Sequence, residues 1–326
     1  MRMRVSVFTI PVLLMACAST GTPPDPPSAS RVLSWNISGD AFVTHQGEFT
    51  ALLAYARPDI VLLDEVDPQV SVLQLRQALP PTTVPAGEHS DNDDWHISFG
   101  TSGGRQRGVI ASRLPIEELP EFGGIVPYRD NARRLITERM TASDRARFAS
   151  RLDDGIAVNG AVVLANGRRL LVVIADLECC GDDPASWAEL KRRVEAKEIR
   201  RVIRQVLLRS RIDAIVLAGD FNLVSTAIPL ALMTGPYAST HSGLIAAELY
   251  HRDGLTTWTW DGRGTPFPSR ALDYQLYSPG MLSVEEGIIL DTEDMAVEEL
   301  DRHGLQRDTS SRLSGHRPLV VEYAWR

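Results

Sequence analysis

The chain is nearly devoid of lysine: of its 34 basic residues only Lys191 and Lys197 are lysines, so almost all positive charge is carried by arginine. Basic residues are also outnumbered by 42 acidic ones, for a formal charge of −8, which argues against the broad basic face that duplex DNA requires. A local arginine cluster gripping a single phosphate remains compatible with that balance. Cysteine is scarce as well. Besides Cys17 there are only Cys179 and Cys180, too few for a disulfide framework or a zinc constellation. Adjacent cysteines rarely bridge without strain, so the pair reads as buried or free thiols. The apolar run near the N-terminus, Val5 to Leu14, is too short to span a bilayer as a helix. With 326 residues and 44% hydrophobic content, the chain has the makings of one large globular core, and no repeat of fixed period divides it.

The N-terminus has the pattern of an export signal: Arg2 and Arg4, an apolar run from Val5 to Leu14, then small residues. Leu14-Met-Ala-Cys17 resembles a bacterial lipoprotein box, which makes residues 1–16 a signal peptide and Cys17 the lipidated mature terminus. Ordinary cleavage after Ala18 is the competing reading, because Ala16 and Ala18 form an A-x-A pattern. Either way the chain is exported to the cell envelope, held at the membrane through Cys17 or else periplasmic or secreted. Loss of Arg2 and Arg4 takes the formal charge from −8 to −10. Residues 17–30, with Pro23-Pro-Asp-Pro-Pro27, suit an extended tether. The folded domain then runs from 31 to 326.

Within that domain Arg31 to Ile37 reads as a β-strand, Gln46 to Ala56 as a helix stopped by Arg57-Pro58, Asp59 to Leu63 as a buried strand, and Val70 to Leu79 as a second helix. Trp95 to Ser102 and Gly108 to Ser112 are further strands. Ile156 to Leu164 and Arg169 to Ala175 form a hairpin turning at Asn166-Gly167. Pro127 to Asp153 is rich in charge, with Thr141 to Leu152 as its one helical stretch. Asp183-Pro184 reads as an N-cap followed by proline at the first position of a long helix, whose apolar face carries Trp187, Leu190, Val194, Ile199, Val202 and Val206. The remaining strand candidates are Ala214 to Ala218, Thr256 to Trp260, Leu272 to Tyr277 and Arg317 to Tyr323.

Several apolar strands end in a polar residue: Asn36, Glu65, Asp176, Asp220 and Asn222, joined further on by Asp273 and His316. Buried strands hold the residues at their tips rigidly, so such positions collect ligands in α/β sheets. Taken singly, each has a bland alternative as a turn residue, a helix cap, an arginine partner or a satisfied core histidine. Taken together, they point to a single site.

The motifs Ser34-Trp-Asn36, Pro58-Asp-Ile-Val-Leu-Leu-Asp-Glu65, Gly108-Val-Ile-Ala-Ser-Arg-Leu-Pro-Ile116, Gly219-Asp-Phe-Asn222, Leu272-Asp-Tyr274 and Ser314-Gly-His-Arg-Pro318, in that order, resemble the endonuclease/exonuclease/phosphatase superfamily from Arg31 to Tyr323. The resemblance implies a four-layered α/β sandwich, two central mostly antiparallel sheets flanked by helices. It also implies a phosphoester hydrolase dependent on Mg²⁺ or Mn²⁺, with Glu65 as the principal metal ligand and Asn36 beside it. Asp220 would orient and activate the attacking water. Asn222 would contact a phosphate oxygen, and His316, paired with Asp273, would contact the phosphate or move a proton.

Two departures qualify that picture. Members of the superfamily commonly have Asp-His where this chain has Gly315-His316. The position of Asp176 usually holds histidine or tyrosine, and an aspartate there donates a proton at neutral pH only if its pKa is raised; otherwise it serves as an extra metal ligand. The expected substrate is a small phosphoester or phospholipid headgroup, handled by a monomer. The alternatives are a nuclease, with Arg129, Arg133 and Arg134 as a phosphate-gripping loop, and a catalytically impaired binding lipoprotein.

Overall fold

A computed structural model describes residues 29–81, 95–165, 167–237 and 243–326. The expected signal, Cys17 and most of the tether lie outside those residues. In chain order the elements are β1 (Ala29–Gly39), α1 (Ala41–Thr44), α2 (Gln46–Ala56), β2 (Ile60–Val66), α3 (Val72–Ala78), β3 (His96–Phe99), β4 (Val109–Ser112), β5 (Ile116–Glu118), α4 (Asp130–Arg139), α5 (Ala142–Phe148), β6 (Val158–Ala165), β7 (Arg168–Ala175), α6 (Trp187–Arg209), β8 (Ala214–Asp220), α7 (Ile228–Thr234), β9 (Ile245–Ala246), β10 (Asp273–Tyr277), β11 (Leu282–Ile289), α8 (Val297–His303), α9 (Thr309–Leu313) and β12 (Leu319–Trp325).

Two six-stranded sheets, ordered β11-β12-β1-β2-β4-β3 and β5-β6-β7-β8-β10-β9, form the centre. Each has one parallel pair in its middle, β1/β2 and β7/β8, flanked on both sides by antiparallel neighbours. The side-chain period of two explains the layers. Val32, Ile60, Leu62, Val172, Ile174 and Val216 face the space between the sheets. Their neighbours Leu33, Val61 and Leu63 turn outward to α2 and α3, while Leu171, Val173 and Leu217 turn outward to α4, α6 and α7. Both faces of each central strand are therefore buried, which is why these strands read as continuous apolar runs. The result is the four-layered sandwich, with helices outside two mixed sheets.

A few polar side chains stitch the sheets together. Gln275 on β10 donates to Val32 O, Ser34 Oγ and Leu319 O at 3.3, 3.1 and 3.0 Å and accepts from the Tyr323 hydroxyl. Asn159 on β6 reaches Ser98 O and Gly108 O across the same gap. With their partners supplied, these buried amides lock the relative register of the two sheets.

Some local expectations change. Thr256–Trp260 is not a ladder strand; Trp260 makes only isolated bridges, to Arg270 and His316. The long helix is capped by Ser186, whose hydroxyl accepts from Glu189 N, whereas Asp183 closes a turn just before it by accepting from Ala185 N. Pro127–Asp153 contains two helices, not one, with Thr141 capping the second. The hairpin closes as expected between Ala165 and Arg168, with Gly167 at φ 74°, while Asn166 lies outside the described residues. Among the described residues no helix is long and apolar enough to cross a membrane.

Candidate active site

The tips of the two parallel pairs meet at one edge of the sandwich. Asn36 and Glu65 come from β1 and β2. Asp176 follows β7 directly, and Asp220 ends β8. The antiparallel neighbours deliver the rest: Asp273 opens β10 directly opposite Asp220, and His316 lies just before β12. All seven polar positions singled out in the sequence thus lie together.

Gly219 makes the approach of the strands possible. It sits at φ 132°, and a Cβ there would lie 1.9 Å from Ala175 O on β7. Glu65 and Asn222 both adopt left-handed backbone, φ 52° and 47°, which is uncommon for such residues and turns their side chains out of strand direction into the site. Ser314 explains the Ser-x-His spacing: its hydroxyl donates to Asn36 O at 2.7 Å and accepts from His316 N at 3.0 Å, tying the last loop to β1.

The carboxylates of Glu65, Asp176 and Asp220 each offer an oxygen within 4.8 Å of the others, and Asp220, Asp273 and His316 form a second such group. Asn36 Nδ2 bridges Glu65 Oε1 at 3.0 Å and Asp220 Oδ2 at 3.2 Å, while Asn36 Oδ1 accepts from Ser38 N. Asn222 donates its amide to Leu177 O at 2.8 Å and Asp176 Oδ1 at 3.3 Å, and its backbone N–H donates to Asp220 Oδ1. Gln106 donates to the other oxygen of Asp176 at 2.9 Å. His316 Nδ1 lies 2.9 Å from Asp273 Oδ2, which also accepts from the Thr259 hydroxyl, and Nε2 stands 3.8 Å from Asp220 Oδ2.

Burial and crowding control the charges. Burial, then the Asp273 carboxylate, push Asp220 up to about 7. Burial and the charges of Glu65 and Asp220 raise Asp176 well above the usual carboxylate range. For His316, burial alone would favour the neutral ring, but the carboxylates of Asp273 and Asp220 outweigh it and push the imidazole up to about 10. The histidine is therefore a cation at neutral pH, between two carboxylates.

Sequence reasoning passed over Asp64, Gln106 and Thr259. Asp64 is fully buried directly below the site, where it accepts from Asp220 N at 3.0 Å. Its place beside Glu65 in the sequence was the available signal; its inward direction follows from strand alternation. Arg129, Arg133 and Arg134 do not form a phosphate loop: they pair with Glu198, Asp153 and Glu138, and none lines the cleft.

The cleft above these groups measures about 390 Å³. Glu65, Asp220, Asn222 and His316 form its floor, Cys179 to Asp182 one rim, and Val224, Trp260, Phe267, Pro268, Arg270 and Leu272 an apolar wall with one guanidinium. Over this frame, residues 33–311 match the model of the Endonuclease/Exonuclease/phosphatase family. The chain belongs to that family. Endonuclease/exonuclease/phosphatase proteins are generally metal-dependent phosphoester hydrolases. Solved structures sharing the fold include D. rerio TDP2 complexed with single strand DNA product (16% identity, 91% of this chain and 99% of that one, TM-score 0.51). An endonuclease/exonuclease/phosphatase from Bacteroides vulgatus is similar too (16%, 92% and 100%, TM-score 0.54), as is the human Nocturnin catalytic domain with bound sulfate anion (16%, 92% and 94%, TM-score 0.51). No curated protein matches the chain.

Proposed function

We propose that the protein is a divalent-metal-dependent phosphodiesterase or phosphatase acting on a small phosphoester or a phospholipid headgroup. The observation carrying this reading is the convergence of Glu65, Asp176 and Asp220 within 4.8 Å of one another, beside a histidine cation, at an apolar-walled cleft whose floor Glu65, Asp220 and His316 line. An all-oxygen donor set of this kind suits a hard cation, and half-buried Glu65 leaves one side open for the waters that Mg²⁺ or Mn²⁺ retains. When bound, such an ion would polarise the phosphoryl oxygens and offset charge on the leaving group.

The chain's own residues then have distinct tasks. Asp176 supplies the third carboxylate, standing in for the one that Gly315 lacks. Asn36 holds Glu65 and Asp220 apart at fixed distances, and Asn222 braces Asp176. Asp220, shared by both groups of ligand atoms, orients the attacking water and takes its proton. Asp273 fixes His316 Nδ1, leaving Nε2 to donate to a phosphate oxygen as negative charge accumulates.

The apolar wall favours a substrate with a bulky apolar or aromatic portion. A nuclease is the second reading: TDP2, which shares the fold, was solved with single-stranded DNA product, and Phe267, 62% exposed, offers a stacking face for a base. Hydrolysis of a bis-aryl phosphodiester, sphingomyelin, plasmid DNA and single-stranded DNA with Mg²⁺, Mn²⁺ and Ca²⁺, at two salt concentrations, separates the two, because nucleic-acid turnover should fall steeply with salt. Asp220→Ala should lower the bis-aryl rate about 10³-fold. Equal rates for the two proteins would sink the proposal, and absence of Mg²⁺ and Mn²⁺ binding by calorimetry would favour a binding protein instead.

We further propose export, with Cys17 as a lipid anchor and residues 17–28 as the tether, since β1 already begins at Ala29, two residues before the expected start of the domain. Fatty-acid labelling that persists in Cys17→Ser would overturn the anchor.

A further inference from the structure

The loop after Asp176 carries a pair of thiols that the proposed hydrolysis does not use. Cys179 and Cys180 are free and exposed, with their sulfur atoms 3.1 Å apart. They stand on a ridge between two cavities: the cleft holding Glu65, Asp220 and His316, and a second depression of about 380 Å³ lined by Arg147, Phe148, Arg151 and Trp187.

The backbone beneath them is clamped. Arg192 on α6, fully buried and paired with the equally buried Glu189, donates to Glu178 O at 2.9 Å, to Gly181 O at 2.7 Å and to Cys180 O. Cys180 is held at φ 63°, in the left-handed region where a cysteine is uncommon. Gly181 follows at φ 68°, packed so closely that a Cβ would lie 2.8 Å from Ala188 Cβ. Such strain persists only where surrounding structure imposes it, and here it presents two thiols side by side at the cleft mouth.

We propose that Cys179 and Cys180 form a reversible dithiol–disulfide site, oxidised by an anionic small-molecule disulfide, whose state controls entry to the cleft. The Cys180 thiolate attacks one sulfur of the disulfide, whose S–S bond breaks and releases one thiolate. The Cys179 thiol passes its proton to that leaving group, and its sulfur attacks Cys180 Sγ, expelling the second thiolate, which takes a proton from solvent. Two protein thiols are oxidised and one disulfide is reduced to two thiols. The hydrogen bond with Cys179, aided by the Arg192 charge, holds the Cys180 thiol down to about 6, while the same bond and desolvation push Cys179 up, which fits this order of attack. Arg147 and Arg151, exposed and stacked on Phe148 at 5.0 and 4.9 Å, supply positive charge for an anionic oxidant on the far side of the ridge. A bond between neighbouring residues is strained, and strained exposed disulfides are the easily reduced ones, so the site would switch and not staple.

The thiol chemistry stands apart from the phosphoester reading; the control of entry rests on it. The full chain is incubated with glutathione disulfide, then alkylated and digested. The peptide holding both cysteines should lose two hydrogens and resist alkylation, and dithiothreitol should restore both alkylation sites. In Cys179→Ser, glutathione should remain attached to Cys180. A bond to Cys17, a stable glutathione adduct on the wild-type pair, or continued alkylation of both thiols would overturn the site. Turnover of the bis-aryl phosphodiester should fall at least threefold in the oxidised wild type and recover with dithiothreitol, with no such response in the double variant Cys179→Ser/Cys180→Ser, which has no thiol at the mouth to react. An unchanged rate on verified oxidation would overturn the control of entry, whereas no rate in the reduced protein would instead count against the hydrolase.

Discussion

Asp220 and His316 on the floor of the cleft, and Asp176 and Asp273 packed behind them, are each less than a tenth exposed and sit at or beside strand tips, whereas Cys179 and Cys180 at the rim and Phe267 in the wall are open to solvent on loops. The floor accepts a physical cost: like charges are crowded in a buried place, and two residues are held in left-handed backbone. It can do so because β7, β8 and β10 are locked on both faces by packed side chains, so the strain cannot relax by movement. The rim depends on fewer anchors, chiefly Arg192, and the apolar wall derives from Val224 and the irregular stretch Trp260 to Leu272. Chemistry is assigned to the rigid part and selectivity to the adaptable one, a division seen wherever one fold serves many substrates.

The comparison can be broken first at the glycines. Gly219→Ala should destabilise the protein by on the order of 3 kcal/mol, measured by urea denaturation, because its Cβ would collide with Ala175 O in disfavoured backbone. Gly315, by contrast, has ordinary contact room: a Cβ would lie 3.5 Å from Trp260 Nε1, so Gly315→Ala should change stability by no more than about 0.5 kcal/mol. A similar cost for the two would mean that the floor is not constrained by strand approach.

Next in size is the histidine. His316→Gln should lower kcat on a bis-aryl phosphodiester about 10²-fold with KM little changed, since the lost interaction strengthens only in the transition state. The floor should also couple metal to protons. Asp220 is raised to about 7, above an ordinary carboxylate, so below that pH it holds a proton that a cation must displace. Calorimetric Mg²⁺ affinity should therefore weaken about tenfold per pH unit as the pH falls below 7. A pH-independent affinity would show that Asp220 stays out of the cation site. At the rim the effect should be of the opposite kind: Phe267→Ala should raise KM for an aryl or lipid phosphoester about tenfold while leaving kcat nearly intact.

Much of the floor was legible in the chain itself. Apolar runs buried on both faces announce central strands, and a polar residue closing each run marks its tip, so Asn36, Glu65, Asp176, Asp220, Asn222, Asp273 and His316 could be named without coordinates. Edge and irregular elements were less readable: β11 carries Glu285 and Glu286 on an edge strand, without clean alternation, and Thr256–Trp260 has β-prone residues but no neighbour for a ladder. Arg129, Arg133 and Arg134, just before and within α4, looked like a phosphate grip because charge alone does not reveal that Glu198, Asp153 and Glu138 already hold them.

By itself, then, the sequence determined the central strands, their polar tips and the family, because strand periodicity and short motifs are local properties. Only the tertiary structure decided that Asp176 shares its oxygen cluster with Glu65 and Asp220, and that Asn36 turns its N–H₂ group toward their carboxylates. It alone decided that Asp64 lies buried beneath and that two exposed thiols stand at the mouth. These facts depend on how two sheets pack face to face. That packing joins Asn36 to Asp220 across 184 positions of chain, a separation over which no sequence pattern carries geometric information.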